Sequence, residues 1–418
     1  MLSPLRLKDK LFYGWVIVVA CLIGGTALYG IRLSFGVFFK SLESEFNLTR
    51  VATSSVFAAY TILAAVFTIV GGWAVDRYGP RRVLFSMGLL TGLGLLITSQ
   101  TNSFWQLFLS YSLLLAIGTG ASYPVLMSVV SRWFDKKRGL ALGIAGAGGS
   151  LGIITMVPFA AYLISELDWR TSYLVMGLVT WVVVISLSML LRKGPSEIGV
   201  LPDGVKLSEG RTEPTGNGES QLAGFSLLQE FRTNNLWLIF AVWLLFSLSI
   251  HLVLTHIIPH VTDIGISTLE ASTILSIMGG STLLSRVLTG RVSDIIGRKM
   301  LGIIWAVLQS GALVGLIWAQ DLPMFYLFAI AFGLSWGGIG VISTALIVDM
   351  FGGRNLGIIM GAIDVGFQVG AAIGPVVGGF VFDVTGTYTV AFAIGAAAML
   401  VTALLIALTR REKNTEIN

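Results

Sequence analysis

The sequence predicts an all-α membrane protein with twelve transmembrane helices in two pseudo-symmetric six-helix halves. The chain has 418 residues, of which 55% are hydrophobic and only 12% are charged. A soluble protein carries about a quarter charged residues, so this chain lacks the polar surface that a water-facing fold needs. The composition therefore argues against a soluble enzyme or a nucleic-acid-binding protein, although the net charge is +5.

Twelve apolar runs are long enough to cross a bilayer, whose core requires about 20 residues per helix. A polar stretch over 192–235, rich in Gly, Ser, Glu and Pro, separates them into two groups of six and predicts a linker. The predicted domains are a six-helix bundle over 1–191, this cytoplasmic linker, and a second six-helix bundle over 236–418. The runs lie near 12–39, 51–75, 83–100, 106–131, 139–165, 172–191, 236–262, 269–290, 301–319, 325–349, 356–382 and 388–409.

The basic residues predict how the chain is oriented. Of the 27 Lys and Arg residues, 22 fall in the tails, the linker and the loops on one side of the predicted membrane, whereas only Lys40, Arg50 and Arg170 fall on the other. Because cytoplasmic loops are enriched in Lys and Arg, we expect a multi-pass protein of the cell membrane with both termini in the cytoplasm. The two remaining basic residues, Arg32 and Arg286, lie within apolar runs.

A charged loop motif occurs once in each half, with an offset of 218 residues between Asp76 and Asp294. Two homologous six-helix halves are the architecture of alternating-access transporters, whose binding site lies at mid-depth between them. The first copy consists of Gly72, Asp76, Arg77, Gly79, Arg81 and Arg82, and the second of Gly290, Asp294, Gly297 and Lys299. The motif resembles the cytoplasmic loop signature of the major facilitator superfamily, which implies a charge clamp that breaks and reforms as the halves rock.

Other stretches resemble the monocarboxylate porter branch of that superfamily and its bacterial oxalate/formate-exchanger relatives. The stretches are Tyr13-Gly14-Trp15 through Val37-Phe38-Phe39-Lys40 in the first helix, Leu275-Ser276-Ile277 through Arg286 and Gly290 in the eighth, and Gly374-Pro375 in the eleventh. The resemblance implies that Arg286 binds the substrate. Animal members carry a lysine where this chain has Leu33 and an aspartate where it has Thr282.

The chemistry of an arginine within a membrane helix also favours a substrate-binding role for Arg286. An arginine in a membrane helix costs at least about 2.5–3.5 kcal/mol on insertion scales, so it is expected to face a cavity or a partner. Its planar guanidinium binds a carboxylate through two parallel hydrogen bonds. The alternative is that Arg286 extends to the headgroups beside Arg291. Arg32 lies far along a helix that enters from the cytoplasm, so we expect it near the outer mouth, attracting anions or anchoring the helix.

Three titratable residues are candidates for proton coupling. Asp364 is the one acidic residue well inside a predicted span. A carboxylate that alternates between an ion pair with an arginine and a protonated state would couple one proton to one anion, whereas a permanent ion pair would be structural. His251 and His256 titrate near neutrality and are candidates for carrying a proton or donating a hydrogen bond. No Cys, Asp or Glu accompanies the histidines within their span, so we predict no metal site and no cofactor other than the coupling proton.

Aromatic residues are predicted to line the substrate site. Trp336 falls mid-span in the tenth helix, where the porters carry a selectivity-controlling phenylalanine, and Tyr123 and Tyr29 bring hydroxyl groups to the fourth and first helices. A small carboxylate needs an apolar wall for its carbon tail and one or two donors for its oxygens.

These observations favour a proton-coupled secondary transporter of a small monocarboxylate such as lactate or pyruvate. We expect it to work as a monomer in the lipid bilayer and to bind no nucleic acid. An exchanger of organic anions such as oxalate is an alternative, because two arginines could hold a dicarboxylate. A drug exporter is disfavoured because the first, fourth and fifth helices contain no acidic residue, and the sequence shows no nucleophile–base cluster of a membrane enzyme and no soluble domain of a sensor.

Overall fold

The computed structural model describes residues 12–204, 233–351 and 356–409. Most of the predicted linker, 205–232, and both basic tails lie outside this part of the chain. The side chains of Asp76 and Asp294, which belong to the predicted charge clamp, also lie outside the description.

Within the described residues, twelve helices are long and apolar enough to cross a membrane, and the predicted all-α fold is confirmed. The first six are α1 (Tyr13–Glu45), α2 (Arg50–Tyr78), α3 (Pro80–Ser99), α4 (Phe104–Trp133), α5 (Arg138–Glu166) and α6 (Trp169–Leu190). The second six are α7 (Asn234–Asp263), α8 (Thr268–Ile296), α9 (Arg298–Leu316), α10 (Leu322–Phe351), α11 (Leu356–Thr385) and α12 (Thr389–Leu408).

The repeated loop motif forms the same sharp turn in both halves. Gly79 joins α2 to α3 with φ of 83°, and Gly297 joins α8 to α9 with φ of 90°. Side chains with a Cβ atom rarely adopt this left-handed backbone, so the chemistry of glycine explains why both copies carry it at this position. The motif is therefore a structural repeat as well as a sequence repeat.

The first residues after α6 pack against the first half. The carboxylate of Asp203 accepts hydrogen bonds from the backbone N–H groups of Asp135 at 3.0 Å and Lys136 at 2.7 Å. Burial acts to raise the pKa of Asp203, but these donors outweigh it and hold the pKa below its usual value. The start of the linker is thus attached to the loop between α4 and α5.

The two halves meet closely at one end of the bundle, which we call the far end because it lies opposite the start of α1 and the end of α12. A Cβ atom placed at Gly379 in α11 would lie only 2.6 Å from the backbone oxygen of Arg50 in α2. At Gly36 in α1, it would lie 2.8 Å from the backbone oxygen of Leu254 in α7. Glycine at these crossings allows the backbones of the two halves to touch.

Candidate functional site

A cavity of about 200 Å³ lies between the two halves, in the middle of the bundle. Its lining includes six of the residues predicted from sequence, contributed by α1, α4, α7, α8 and α10. These residues are Tyr29, Arg32, Tyr123, His251, Arg286 and Trp336. The structure therefore brings together side chains that are far apart in the sequence.

Three helices of the first half are interrupted beside this cavity. Regular helical geometry pauses at Ser34 in α1, Gly120 in α4 and Ala147 in α5. Nearby residues of each helix, including Leu33, Tyr123 and Gly146, line the cavity. Interrupted helices at mid-depth are a common way to build a substrate site in a membrane transporter, because irregular backbone is tolerated where it lines a cavity.

The cavity opens toward the end that carries the termini. Tyr123, on the terminal side of the cavity, is 58% exposed, and Arg286 is also exposed. His251 and Thr282, which lie deeper, are only 4% and 1% exposed. This gradient in exposure means that a solute would enter from the terminal end and would meet Arg286 before it reached His251.

Arg286 is a cation without a fixed partner. Its side chain lines the cavity, and among the described residues it forms no hydrogen bond or ion pair. The phenols of Tyr29 and Tyr123 lie close enough to interact electrostatically with its guanidinium. A free guanidinium beside two hydroxyl groups can hold a carboxylate through several charge-assisted hydrogen bonds.

Arg32 shares the cavity with Arg286, so the expected position of Arg32 near the outer mouth is wrong. The expectation rests on a helix that crosses the membrane in about 20 residues, whereas α1 runs from Tyr13 to Glu45 and leaves Arg32 within the bundle. The Arg32 guanidinium lies 5.7 Å from the centre of the Tyr60 ring. Its Nε atom is buried and has no hydrogen-bond partner among the described residues.

Asp364 lies beside the cavity without contributing to its lining. Its carboxylate accepts a hydrogen bond of 3.3 Å from Gln368, one turn further along α11. Arg32 is the cation that interacts electrostatically with it, and in the described part of the chain no Lys or Arg lies within ion-pair distance of Asp364. Its role in proton coupling stays a prediction, and Arg32 rather than Arg286 is its neighbour.

His256 lies outside the cavity and is hydrogen-bonded on both ring nitrogens. Its Nε2 lies 2.7 Å from the carbonyl oxygen of Pro375, and its Nδ1 lies 3.1 Å from the hydroxyl of Tyr388. A carbonyl can only accept, so Nε2 carries the proton and Nδ1 accepts from Tyr388. Tyr388 lies between α11 and α12, where burial raises its pKa more than Arg50 lowers it, so its phenol remains able to donate.

A cluster of charges joins the two halves at the far end. We call it the far-end clamp, and it consists of Lys40, Glu43 and Arg50 from the first half with Asp263, Asp383 and Tyr388 from the second. Arg50 is only 5% exposed, and its guanidinium contacts the carboxylate of Asp263 at 2.8 and 3.1 Å. Lys40 lies 2.6 Å from the same carboxylate.

The clamp also includes backbone and aromatic contacts. The carboxylate of Asp383 accepts the backbone N–H groups of Arg50 and Val51, each at 2.9 Å, and so caps the start of α2 with a residue of the other half. The Arg50 guanidinium lies 3.5 Å from the centre of the Phe382 ring. Sequence reasoning missed this cluster, although Arg50, Asp263 and Asp383 stand at the far ends of apolar runs, which is a detectable signal.

The loop motif at the terminal end places its basic residues near aromatic and carbonyl groups. In the first copy, the Arg77 guanidinium lies 5.6 Å from the Trp73 ring. In the second, Lys299 donates to the backbone oxygen of Thr409 at 2.9 Å, and Arg298 pairs with Asp349 at the end of α10. Gly72 and Gly290 lie inside α2 and α8, each seven residues before the turn glycine, and Arg81 and Arg82 lie in the first turn of α3. The clamping role of the motif stays a prediction.

In the described part of the chain, twelve helices long enough to span a membrane surround a charged cavity between two halves, which is the architecture of an alternating-access membrane transporter. The family model of the Major Facilitator Superfamily matches residues 20–299 and 253–418. The chain belongs to this family, which makes it a multi-pass membrane transporter and not an enzyme.

Curated relatives support the branch that the sequence resembles. Monocarboxylate transporter 13 of Rattus norvegicus is 26% identical over 392 residues, which cover 93% of this chain and 87% of the relative. Monocarboxylate transporter 2 of Homo sapiens is 24% identical over 395 residues, which cover 90% and 81%. The resemblance to the superfamily and to its monocarboxylate transporters is confirmed.

A solved structure has the same fold. It is a bacterial homologue of the human lysosomal transporter Spinster in an inward-facing, unoccupied conformation. Its TM-score is 0.71 at 15% sequence identity, and the match covers 96% of each chain.

Proposed function

We propose that the protein is a secondary active transporter of small monocarboxylates of the lactate or pyruvate type, in which Arg286 binds the carboxylate. The observation that carries this proposal is the exposed guanidinium of Arg286, which has no protein partner among the described residues and lies in the central cavity. The names of the curated relatives support monocarboxylates in general as the substrate class.

The cavity offers complementary surfaces for the two ends of such a substrate. Arg286 supplies two parallel N–H donors, and Tyr29 and Tyr123 bring two further hydroxyl donors to the lining of the same cavity. Trp336 and Phe367 form part of an apolar wall for a short carbon tail. A cavity of about 200 Å³ suits a molecule of a few carbon atoms.

We assign the coupling proton to Asp364. When the anion leaves, the Gln368 amide and the positive charge of Arg32 stabilise the Asp364 carboxylate, and when the anion arrives, its negative charge favours protonation of that carboxylate. One proton would then move with one monocarboxylate. Alternating access would require the far-end clamp to open while the terminal end closes, with both termini in the cytoplasm.

An exchanger of dicarboxylates is the second candidate function, because two guanidiniums line the same cavity. A dicarboxylate such as oxalate could contact Arg32 and Arg286 at the same time. Exchange of this kind requires no proton site.

Uptake by reconstituted proteoliposomes tests the proposal. Arg286→Lys keeps the charge but loses the planar pair of donors, so we expect lactate uptake to fall by about 10–100-fold at sub-saturating concentration. Arg291→Lys, made on the same helix outside the cavity, is the matched control and should transport normally. Uptake by Arg286→Lys equal to that of the wild type, with both variants monodisperse, would contradict the site.

The same vesicles separate the two candidate functions. An inward proton gradient should drive lactate accumulation against its gradient in the wild type, and Asp364→Asn should abolish that accumulation while permitting exchange across the membrane. Uptake that ignored pH and required a preloaded internal anion would instead support the exchanger.

A further inference from the structure

His251 is held in a single tautomer. Its Nδ1 lies 3.0 Å from the backbone oxygen of Ser247, one turn earlier in α7, and 3.2 Å from the hydroxyl of the same residue. Because a carbonyl oxygen can only accept, Nδ1 must carry the proton. In a neutral imidazole, the other nitrogen then presents a lone pair.

The imidazole ring of His251 borders the cavity. His251 is one of the lining residues, and its ring packs edge-on against Phe367 with ring centres 5.6 Å apart. Across the described residues, Nε2 of His251 has no hydrogen-bond partner, unlike Nε2 of His256. The protein therefore fixes the ring through Nδ1, and no hydrogen bond from the described residues engages Nε2.

Burial and a neighbouring positive charge both disfavour a second proton on the His251 ring. Two guanidiniums, those of Arg32 and Arg286, already line this cavity, and Arg32 interacts electrostatically with the ring. A positive charge on a ring that is 4% exposed would be poorly solvated and repelled by Arg32. Asp364, the nearby carboxylate, is bonded to Gln368 and does not line the cavity. Nε2 of His251 consequently acts as a hydrogen-bond acceptor in a cavity whose donors include the guanidiniums of Arg32 and Arg286.

We infer that His251 Nε2 accepts the hydroxyl proton of a substrate that carries a hydroxyl group next to its carboxylate. The site would then prefer 2-hydroxy monocarboxylates over both unsubstituted and 2-oxo analogues. This inference rests on the proposed function, because it requires the carboxylate to be bound in the same cavity. An unsubstituted acid leaves the Nε2 lone pair without a donor, and a 2-oxo acid turns a second lone pair toward it, so both lose the hydrogen bond.

The expected preference is about 3–10-fold, the size of one neutral hydrogen bond. It can be measured as the ratio of dissociation constants for L-lactate, propionate and pyruvate, determined by calorimetry on the purified full-length protein. The wild type should bind L-lactate more tightly than the other two, and the three acids should compete with one another.

Two variants that differ by one methylene group separate the two ring nitrogens. His251→Asn places an amide near the position of Nδ1 and leaves nothing at Nε2, so the preference should disappear while the affinity for propionate is retained. His251→Gln reaches the position of Nε2 with an oxygen that accepts, so it should retain the preference. Ser247→Ala removes only the hydroxyl contact and leaves the carbonyl that fixes the tautomer, so it should behave as the wild type.

The outcomes distinguish this inference from the proposed function. Equal affinity of the wild type for all three acids would overturn the role of His251 and leave carboxylate binding intact, and so would an unchanged preference in His251→Asn. Failure of the wild type to bind any of the three acids would overturn the proposed function and the inference with it.

Discussion

At the scale of single residues, the two cavity arginines have different environments and should respond differently to substitution. Arg286 is exposed and is free to meet a ligand, whereas the Nε of Arg32 is buried without a partner in the described structure. A buried donor that lacks a partner costs about 1–3 kcal/mol, and more when it is charged. Arg32 thus lowers the stability of the substrate-free protein, while its charge adds to the positive potential of the cavity.

Replacing Arg32 with glutamine should therefore have opposite effects on stability and binding. We expect Arg32→Gln to raise the Tm of the purified protein by a few degrees, because an incompletely satisfied cation is removed. The dissociation constant for L-lactate should increase by about 3–10-fold, because the cavity loses one positive charge. Arg32→Lys, which keeps the charge, is the control for binding. A lower Tm together with unchanged binding would show that Arg32 is a structural anchor.

At the scale of helices, the interruption of α4 depends on a close crossing with α2. A Cβ atom added at Gly120 would lie 2.7 Å from the backbone oxygens of Ala64 and Ala116, neither of which can move independently of its helix. Thr68 of α2 also donates to the backbone oxygen of Gly120 at 2.8 Å. The contact holds the turn from which Tyr123 enters the cavity.

Replacing Gly120 with alanine at this crossing should lower the stability of the folded protein. Gly120→Ala is expected to destabilise the protein by about 1–3 kcal/mol, the usual cost of overpacking, and to lower its Tm. Gly143 in α5 offers a matched control, because a Cβ atom there would meet nothing within 4 Å. Gly143→Ala should be neutral or stabilising, since alanine is the better helix former. Equal Tm values for the two variants would rule out the close crossing as a stabilising contact.

The helices also show what sequence reasoning can and cannot supply. Twelve spans and their pairing into repeats follow from apolar length and from the motif copies at Gly79 and Gly297, because both are local properties of the chain. The end of α1 was misplaced because Lys40 and Glu43 are charged, and charge ordinarily marks the edge of the membrane. Within the helix, Lys40 pairs with Asp263, which is distant in sequence, and Glu43 pairs with Arg50, which is itself held by Asp263. Such pairings depend on the tertiary fold and cannot be deduced from hydropathy.

At the scale of the whole molecule, the far-end clamp determines which end of the cavity is closed. Arg50 contacts Asp263 and Tyr388, and Asp383 binds the first backbone N–H groups of α2, so Arg50 is at the centre of the polar contacts that join the halves at this end. An alternating-access cycle has to break these contacts, and their strength sets the balance between the two open states. Removing one partner of a buried ion pair costs about 3–5 kcal/mol.

Arg50→Gln should consequently shift the protein toward the state that is open at the far end. The shift can be followed by placing a cysteine at Leu254, which lines the cavity and is 4% exposed, after Cys21 has been replaced by alanine. In intact cells, with the far end outside as the basic residues predict, an impermeant maleimide should label this cysteine at least tenfold faster in Arg50→Gln than in the parent. Arg170→Gln is the matched control, because Arg170 pairs with Glu45 at 2.8 Å at the same end but within the first half. If both variants were labelled at the parent rate, the far-end clamp would have no part in closing the far end. Rapid labelling of the parent itself would instead show that the open, terminal end faces the outside of the cell.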